Sequence, residues 1–90
     1  MQVVWKQNAL DDRAKIIAYI ALDKPLSAVE FGDILIEKSK ILELMPMLGR
    51  IGKVSGTREL VAHQNYILIY QITQTTIEIL NVKHVAQQYP

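Results

Sequence analysis

The pattern of apolar and polar positions is most informative in the last third of the chain, where it predicts strands. Thr57 to His63 is predicted as a strand, and residues 66–72 are almost wholly apolar, as in a central strand covered on both faces. A third strand is predicted from Thr76 to about Val82. There the alternation slips: Ile77 and Ile79 share one face, whereas Leu80 and Val82 share the other. Either both faces are partly covered or a bulge shifts the register. Gln64-Asn65 and Thr73-Gln74-Thr75 are the turns, the first without the glycine that two-residue hairpins favour. The three strands form an antiparallel meander.

The first half switches to helical spacing after a short β-prone stretch, Val3-Val4-Trp5. Asn8 is expected to cap a helix running from about Ala9 to Leu22, with Asp11 near its positive end. Leu10, Ala14, Ile17 and Ala21 form its seam, Ile16 and Ile20 widen it, and Asp12, Arg13 and Lys15 fall toward the other side. Asp23-Lys24-Pro25 interrupts the helix, and Pro25 suits the first turn of a new one. The second helix reaches about Leu44, with Ala28, Phe31, Leu35, Leu42 and Met45 as its seam and Ile34 and Ile41 beside it. Gly32 inside it costs about 1 kcal/mol relative to alanine, which a close crossing with the first helix would offset. So short a connection makes the two helices an antiparallel hairpin. Pro46 ends the second helix, and residues 46–56 are expected to be a glycine-rich loop carrying Arg50 and Lys53.

The predicted order is β-α-α-β-β-β, an α+β fold. A helical hairpin packs on one face of a small antiparallel sheet, and the other face stays partly open for a partner or substrate. Ninety residues, 50% hydrophobic and 21% charged, suit one globular domain spanning residues 1–90. No apolar run approaches the roughly 20 residues of a membrane helix, and the start of the chain lacks the features of a secretion signal. A cytoplasmic protein with no membrane partner is expected. Cysteine is absent, which removes disulfides and thiolate metal sites. The two histidines, His63 and His84, have no metal-ligand spacing. Gly49, Gly52 and Gly56 do not precede a Lys-Ser or Lys-Thr pair, so no phosphate loop is present. Neither a metal nor a cofactor is expected. A net charge of +1 argues against binding through many phosphate contacts, although a few clustered cations would still make a local patch.

Each candidate for chemistry has a structural reading beside it. Asp11 and Asp12 belong to a helix start. Arg50 and Lys53 are placed either to contact phosphates or simply to be solvated. Arg58 and Glu59 point to opposite faces of a strand, where arginine is often an ion-pair partner. Lys83, His84 and Tyr89 suggest a general acid or base beside a cation, yet a lone histidine at a strand end is more often structural. His63, beside the turn, is expected to be exposed. Tyr66 and Tyr70 share a face, where packing is the plainer role. Tyr89 is expected to pack back onto the sheet.

Taken together, the element order, Pro46 through Arg50, Gly56-Thr57-Arg58-Glu59-Leu60-Val61, Tyr66-Ile67-Leu68-Ile69-Tyr70, Ile77-Glu78-Ile79-Leu80, and a histidine followed by Gln87-Gln88-Tyr89-Pro90 resemble the RelE/ParE superfamily of bacterial type II toxins. The strand motifs and the ending look more like the ParE branch. The resemblance implies a growth-inhibiting toxin, neutralised by a cognate antitoxin and serving plasmid stabilisation or stress response. Operator DNA would be bound only through the antitoxin. ParE-like members act on DNA gyrase; RelE-like members are ribosome-dependent mRNA endoribonucleases. For a target-binding toxin the resemblance points to Arg50, Lys53, Arg58 and His84. For a nuclease the candidates are Arg58, Lys83, His84 and Tyr89. Val61 and Asn65 stand where one nuclease subgroup has a histidine and an aspartate, so the set for RNA cleavage is incomplete, and the reading leans away from an enzyme.

Overall fold

The computed structural model describes residues 1–88, apart from the side chains of Gln87 and Gln88. Strand β1 (Gln2–Trp5) leads into helices α1 (Gln7–Ala21) and α2 (Pro25–Leu44). Strands β2 (Arg50–Ile51), β3 (Arg58–His63), β4 (Tyr66–Ile72) and β5 (Thr76–His84) follow, then one helical turn, α3 (Val85–Gln88). The β-α-α-β-β-β order holds, with β2 added. The stretch 46–56, expected to be loop throughout, pairs Arg50 with Glu59 and Ile51 with Arg58.

The sheet has five strands in the order β1-β5-β4-β3-β2. It is mixed, not purely antiparallel: β1 lies parallel to β5, with Gln2 opposite Thr76 and Trp5 opposite Ile79. A parallel neighbour needs a long crossover, and here nearly the whole chain lies between the two partners.

The pairing of β1 also sets where α1 begins. The Lys6 N–H donates to the Ile79 carbonyl at 2.9 Å, so sheet pairing continues to the helix boundary. Lys6 is therefore the N-cap, with no side-chain cap bond, and Asn8 lies inside the helix instead of capping it. Asp11 falls beyond the first turn and accepts a hydrogen bond from Gln7 Nε2 at 2.9 Å.

The inward face of α1 is Ala9, Ile16, Ile17 and Ile20, while Leu10, Ala14 and Ala21 are exposed. The expected seam is thus rotated about the helix axis. Asp12 and Arg13, expected on the solvent side, turn toward the sheet. Asp12 Oδ2 accepts from Asn81 Nδ2 at 3.1 Å and from the Val82 N–H at 3.0 Å. The Arg13 guanidinium lies 5.8 Å from the centre of the Trp5 ring, a cation–π distance.

On α2, Ala28, Phe31, Leu35 and Leu42 are buried as expected, whereas Met45 is 52% exposed. Gly32 marks the close crossing: a Cβ there would lie 3.1 Å from Ile17 Cδ1. Buried Ser39 is satisfied by donating to the Ile36 carbonyl at 2.8 Å, and Trp5 Nε1 lies 3.3 Å from its hydroxyl.

The helices cover the sheet face that carries Leu60, Ala62, Leu68, Tyr70, Ile77, Ile79 and Val82. The slip in β5 is a bulge: Tyr70 pairs with Ile79 and Ile69 with Asn81, leaving Leu80 as the extra residue. Asp12 takes up the Val82 N–H just after it. Gln64, in the turn between β3 and β4, has φ 45°, a conformation that costs a residue with a side chain more than it costs glycine. Among the described residues, no helix is long and apolar enough to cross a membrane.

Candidate functional site

Arg58 and Tyr70 sit directly opposite each other on β3 and β4 and share the helix-facing side. Together they hold the chain that leaves α2. The Tyr70 hydroxyl donates to the Pro46 carbonyl at 2.7 Å and accepts from the Gly49 N–H at 2.9 Å. Arg58 Nη1 donates to the Gly49 carbonyl at 2.8 Å and reaches the Met47 carbonyl at 3.4 Å. Gly49 makes this possible. A Cβ there would stand 2.7 Å from Tyr70 Cε1 and 2.8 Å from the Glu59 carbonyl oxygen. Tyr70 is fully buried. Burial pushes its phenol above the ordinary tyrosine value, opposed in part by the Gly49 N–H and the Arg58 guanidinium. At neutral pH the hydroxyl keeps the proton it donates to Pro46.

On the opposite face, Arg50 Nε donates to Glu59 Oε1 at 2.9 Å, and the Lys53 N–H lies 3.4 Å from Glu59 Oε2. Glu59 is only 4% exposed. A buried carboxylate is tolerable when paired in this way, so Arg50 has a structural duty in the β2–β3 hairpin. Below that hairpin the clamp leaves Met47 71% exposed and Leu48 45% exposed.

His84 occupies the other end of the sheet, opposite Tyr66. The two rings meet edge to face at 5.1 Å, and Tyr66 meets Phe31 in the same manner at 5.0 Å. The Ala86 N–H donates to His84 Nδ1 at 3.1 Å. His84 and Tyr66 line a cavity of about 330 Å³ with Lys15, Ile16 and Tyr19 from α1. His63, expected to be exposed, is half-buried with its ring 5.6 Å from Phe31. The pairing shift between Val61 and His63 turns it inward.

The candidate residues therefore do not converge. Arg58 is opposite Tyr70 and His84 opposite Tyr66, four residues apart on β4, or about 13 Å at 3.3 Å per residue. Lys83 follows the strand alternation onto the face away from His84. Arg50 and Arg58 lie at the same end but on opposite faces. Tyr89 is outside the described residues. Among the described residues, no group of three His, Cys, Asp or Glu side chains could hold a metal ion. Sequence reasoning missed the working roles of Tyr70, Gly49 and Glu59. Gly49, immediately before the chain pairs with β3, is the one local hint of close backbone approach.

Comparison with known proteins adds an independent line. The family described as ParE toxin of type II toxin-antitoxin system, parDE, matches residues 3–89. A Sinorhizobium fredii protein named "Putative toxin Y4kP" is 37% identical over 90 residues, spanning 99% of this chain and 93% of its own length. Toxin RelE2 of Caulobacter vibrioides is 31% identical over 86 residues, spanning 96% of this chain and 97% of its own. Among solved structures, a chain of the chromosomal ParDE system from P. aeruginosa superposes with a TM-score of 0.86. That match covers 94% of this chain and 96% of the other at 22% identity, and shows the shared fold.

Proposed function

The chain belongs to the ParE toxin family of type II toxin–antitoxin systems, and from that premise we propose that it arrests growth by binding DNA gyrase, without cleaving nucleic acid. The observation that carries this reading is the family match over residues 3–89. Two features support it. The cations and the histidine that RNA cleavage would need are spread over two faces and two ends of the sheet. The net charge of +1 is also weak for a protein working among ribosomal RNA. In this account Arg50, Lys53, Arg58 and His84 contribute to the target-binding surface, and an antitoxin covers the toxin in the cytoplasm until it is released. The antitoxin supplies operator binding, and the pair serves plasmid stabilisation or stress response. Purified toxin added to gyrase and relaxed plasmid should block supercoiling; normal supercoiling at saturating toxin would contradict the proposal.

The name of the Caulobacter relative, toxin RelE2, favours a second reading: a ribosome-dependent mRNA endoribonuclease drawing on Arg58, Lys83, His84 and Tyr89. Primer extension on translated messages would then show codon-linked cuts, and His84→Ala would abolish them. Intact messages during growth arrest would sink this alternative.

A further inference from the structure

Both histidines of the chain stand in one row across an end of the sheet. His63 on β3 lies opposite Tyr66 on β4, and Tyr66 lies opposite His84 on β5. Tyr66 separates two cavities. Beside it, Lys15, Tyr19 and His84 line one of about 330 Å³, and Lys24, Phe31 and His63 line another of about 250 Å³. We propose that the two cavities form one binding site for a nucleoside bisphosphate. One phosphate meets Lys15, the other meets Lys24 and His63, the sugar crosses Tyr66, and the base stacks on Tyr19. The site lies at the end of the sheet away from the Arg58 clamp, and it does not depend on which target the toxin strikes.

Three observations carry it. First, the positive charge is unopposed. Neither the Lys15 nor the Lys24 ammonium has a hydrogen bond or ion pair among the described residues, and no described carboxylate lines either cavity. A lysine so placed suits a phosphate, which it meets as a point charge. Second, polar groups are held ready between the two cations. Tyr66 is fixed edge to face between Phe31 at 5.0 Å and His84 at 5.1 Å, and its hydroxyl makes no hydrogen bond among the described residues. The His63 ring, 5.6 Å from Phe31, makes none there either. Groups braced in this way lose little freedom when a ligand arrives. Third, the spacing asks for two phosphates. His63 and His84 stand on strands two apart, about 10 Å, with Tyr66 between them, so one phosphate cannot serve both cavities. The exposed Tyr19 ring beside Lys15 offers a face on which any base can stack. A longer nucleic-acid strand fits less well. Past Lys24 the surface turns to Leu22 and Asp23, and a net charge of +1 provides few further phosphate contacts.

Calorimetric titration of the full chain with adenosine 3′,5′-bisphosphate tests the site, with adenosine monophosphate and inorganic phosphate as comparison probes. The bisphosphate should bind about tenfold tighter than the monophosphate, the scale of one further charge-assisted contact, and inorganic phosphate should bind weakest. Lys15→Gln and Lys24→Gln, both at exposed positions that leave folding intact, should each bring the bisphosphate down to the affinity of the monophosphate. Tyr66→Phe keeps the ring and should weaken binding about threefold, as for one neutral hydrogen bond. Lys40→Gln, beside β1, should leave binding unchanged. No binding of the bisphosphate, or equal affinities for the two nucleotides, would overturn the proposal. So would full affinity in Lys15→Gln or Lys24→Gln, or a loss in Lys40→Gln as large as theirs, the mark of general attraction between charges. A single-stranded oligonucleotide binding tighter than the bisphosphate would also overturn it, in favour of a nucleic-acid surface.

Discussion

Tyr70 joins two parts of the chain through one oxygen, giving its proton to Pro46 and receiving the Gly49 N–H. Tyr70→Phe keeps the ring and leaves both backbone groups without that partner. It should cost about 1–3 kcal/mol, the usual penalty for orphaned buried polar groups, read as a lower urea midpoint with an unchanged slope. Gly49→Ala should cost a comparable 1–3 kcal/mol or so, because the new methyl meets backbone and a packed ring that cannot retreat. Gly32→Ala should be close to neutral. The helix-propensity gain of about 1 kcal/mol offsets the displacement of a flexible Ile17 methyl. Tyr70 also gives stability a defined pH dependence. Its folded value lies above the ordinary one, so the unfolded chain ionises first, at about pH 10. Below that point the phenol's contribution is fully present; it is lost as pH rises through the higher folded value. Urea unfolding between pH 9 and 11 should show this decline, and Tyr70→Phe should remove it.

At the scale of elements, the β5 bulge and α1 are tied by one carboxylate. Asp12→Ala should cost about 1–2 kcal/mol, low for bonds to a charged group because the site is half-exposed. Hydrogen exchange should quicken at Val82 before the rest of β4–β5; uniform exchange would refute the pin. The slip in β5 was legible in the sequence, since Ile77 and Ile79 share one face and Leu80 and Val82 the other, but partial cover of both faces fitted it as well, and only the pairing with β4 decides for a bulge. The helices and the meander were legible from period alone. The phase of α1 was not. With Leu10, Ala14, Ile16, Ile17, Ile20 and Ala21 spread around it, several stripes fit equally well, and only the sheet decides which one turns inward. The start of α1 was missed because Lys6 is engaged by Ile79, far away in sequence. The parallel pairing of β1 was hidden for the same reason, as no local pattern announces a partner more than seventy residues on.

For the whole molecule, the strand register converts a list of polar residues into places. Of the clamp residues only Arg58 was a candidate, and its role needed the register, which sets Arg58 opposite Tyr70 and His84 opposite Tyr66. The result is a toxin fold with a braced, apolar end around Met47 and Arg58 and a separate aromatic end around Tyr66 and His84. Such an arrangement suits binding at an extended surface better than acid–base chemistry at one point. Action on gyrase by contact is the proposal that this arrangement supports. Its most direct test is a supercoiling assay titrated with the unmodified toxin and with His84→Ala and Lys83→Ala. The unmodified chain should abolish supercoiling, an effect retained in Lys83→Ala and weakened no more than about tenfold in His84→Ala, the scale of one lost interface contact. Supercoiling untouched by the unmodified toxin, together with message cleavage that His84→Ala abolishes, would contradict it.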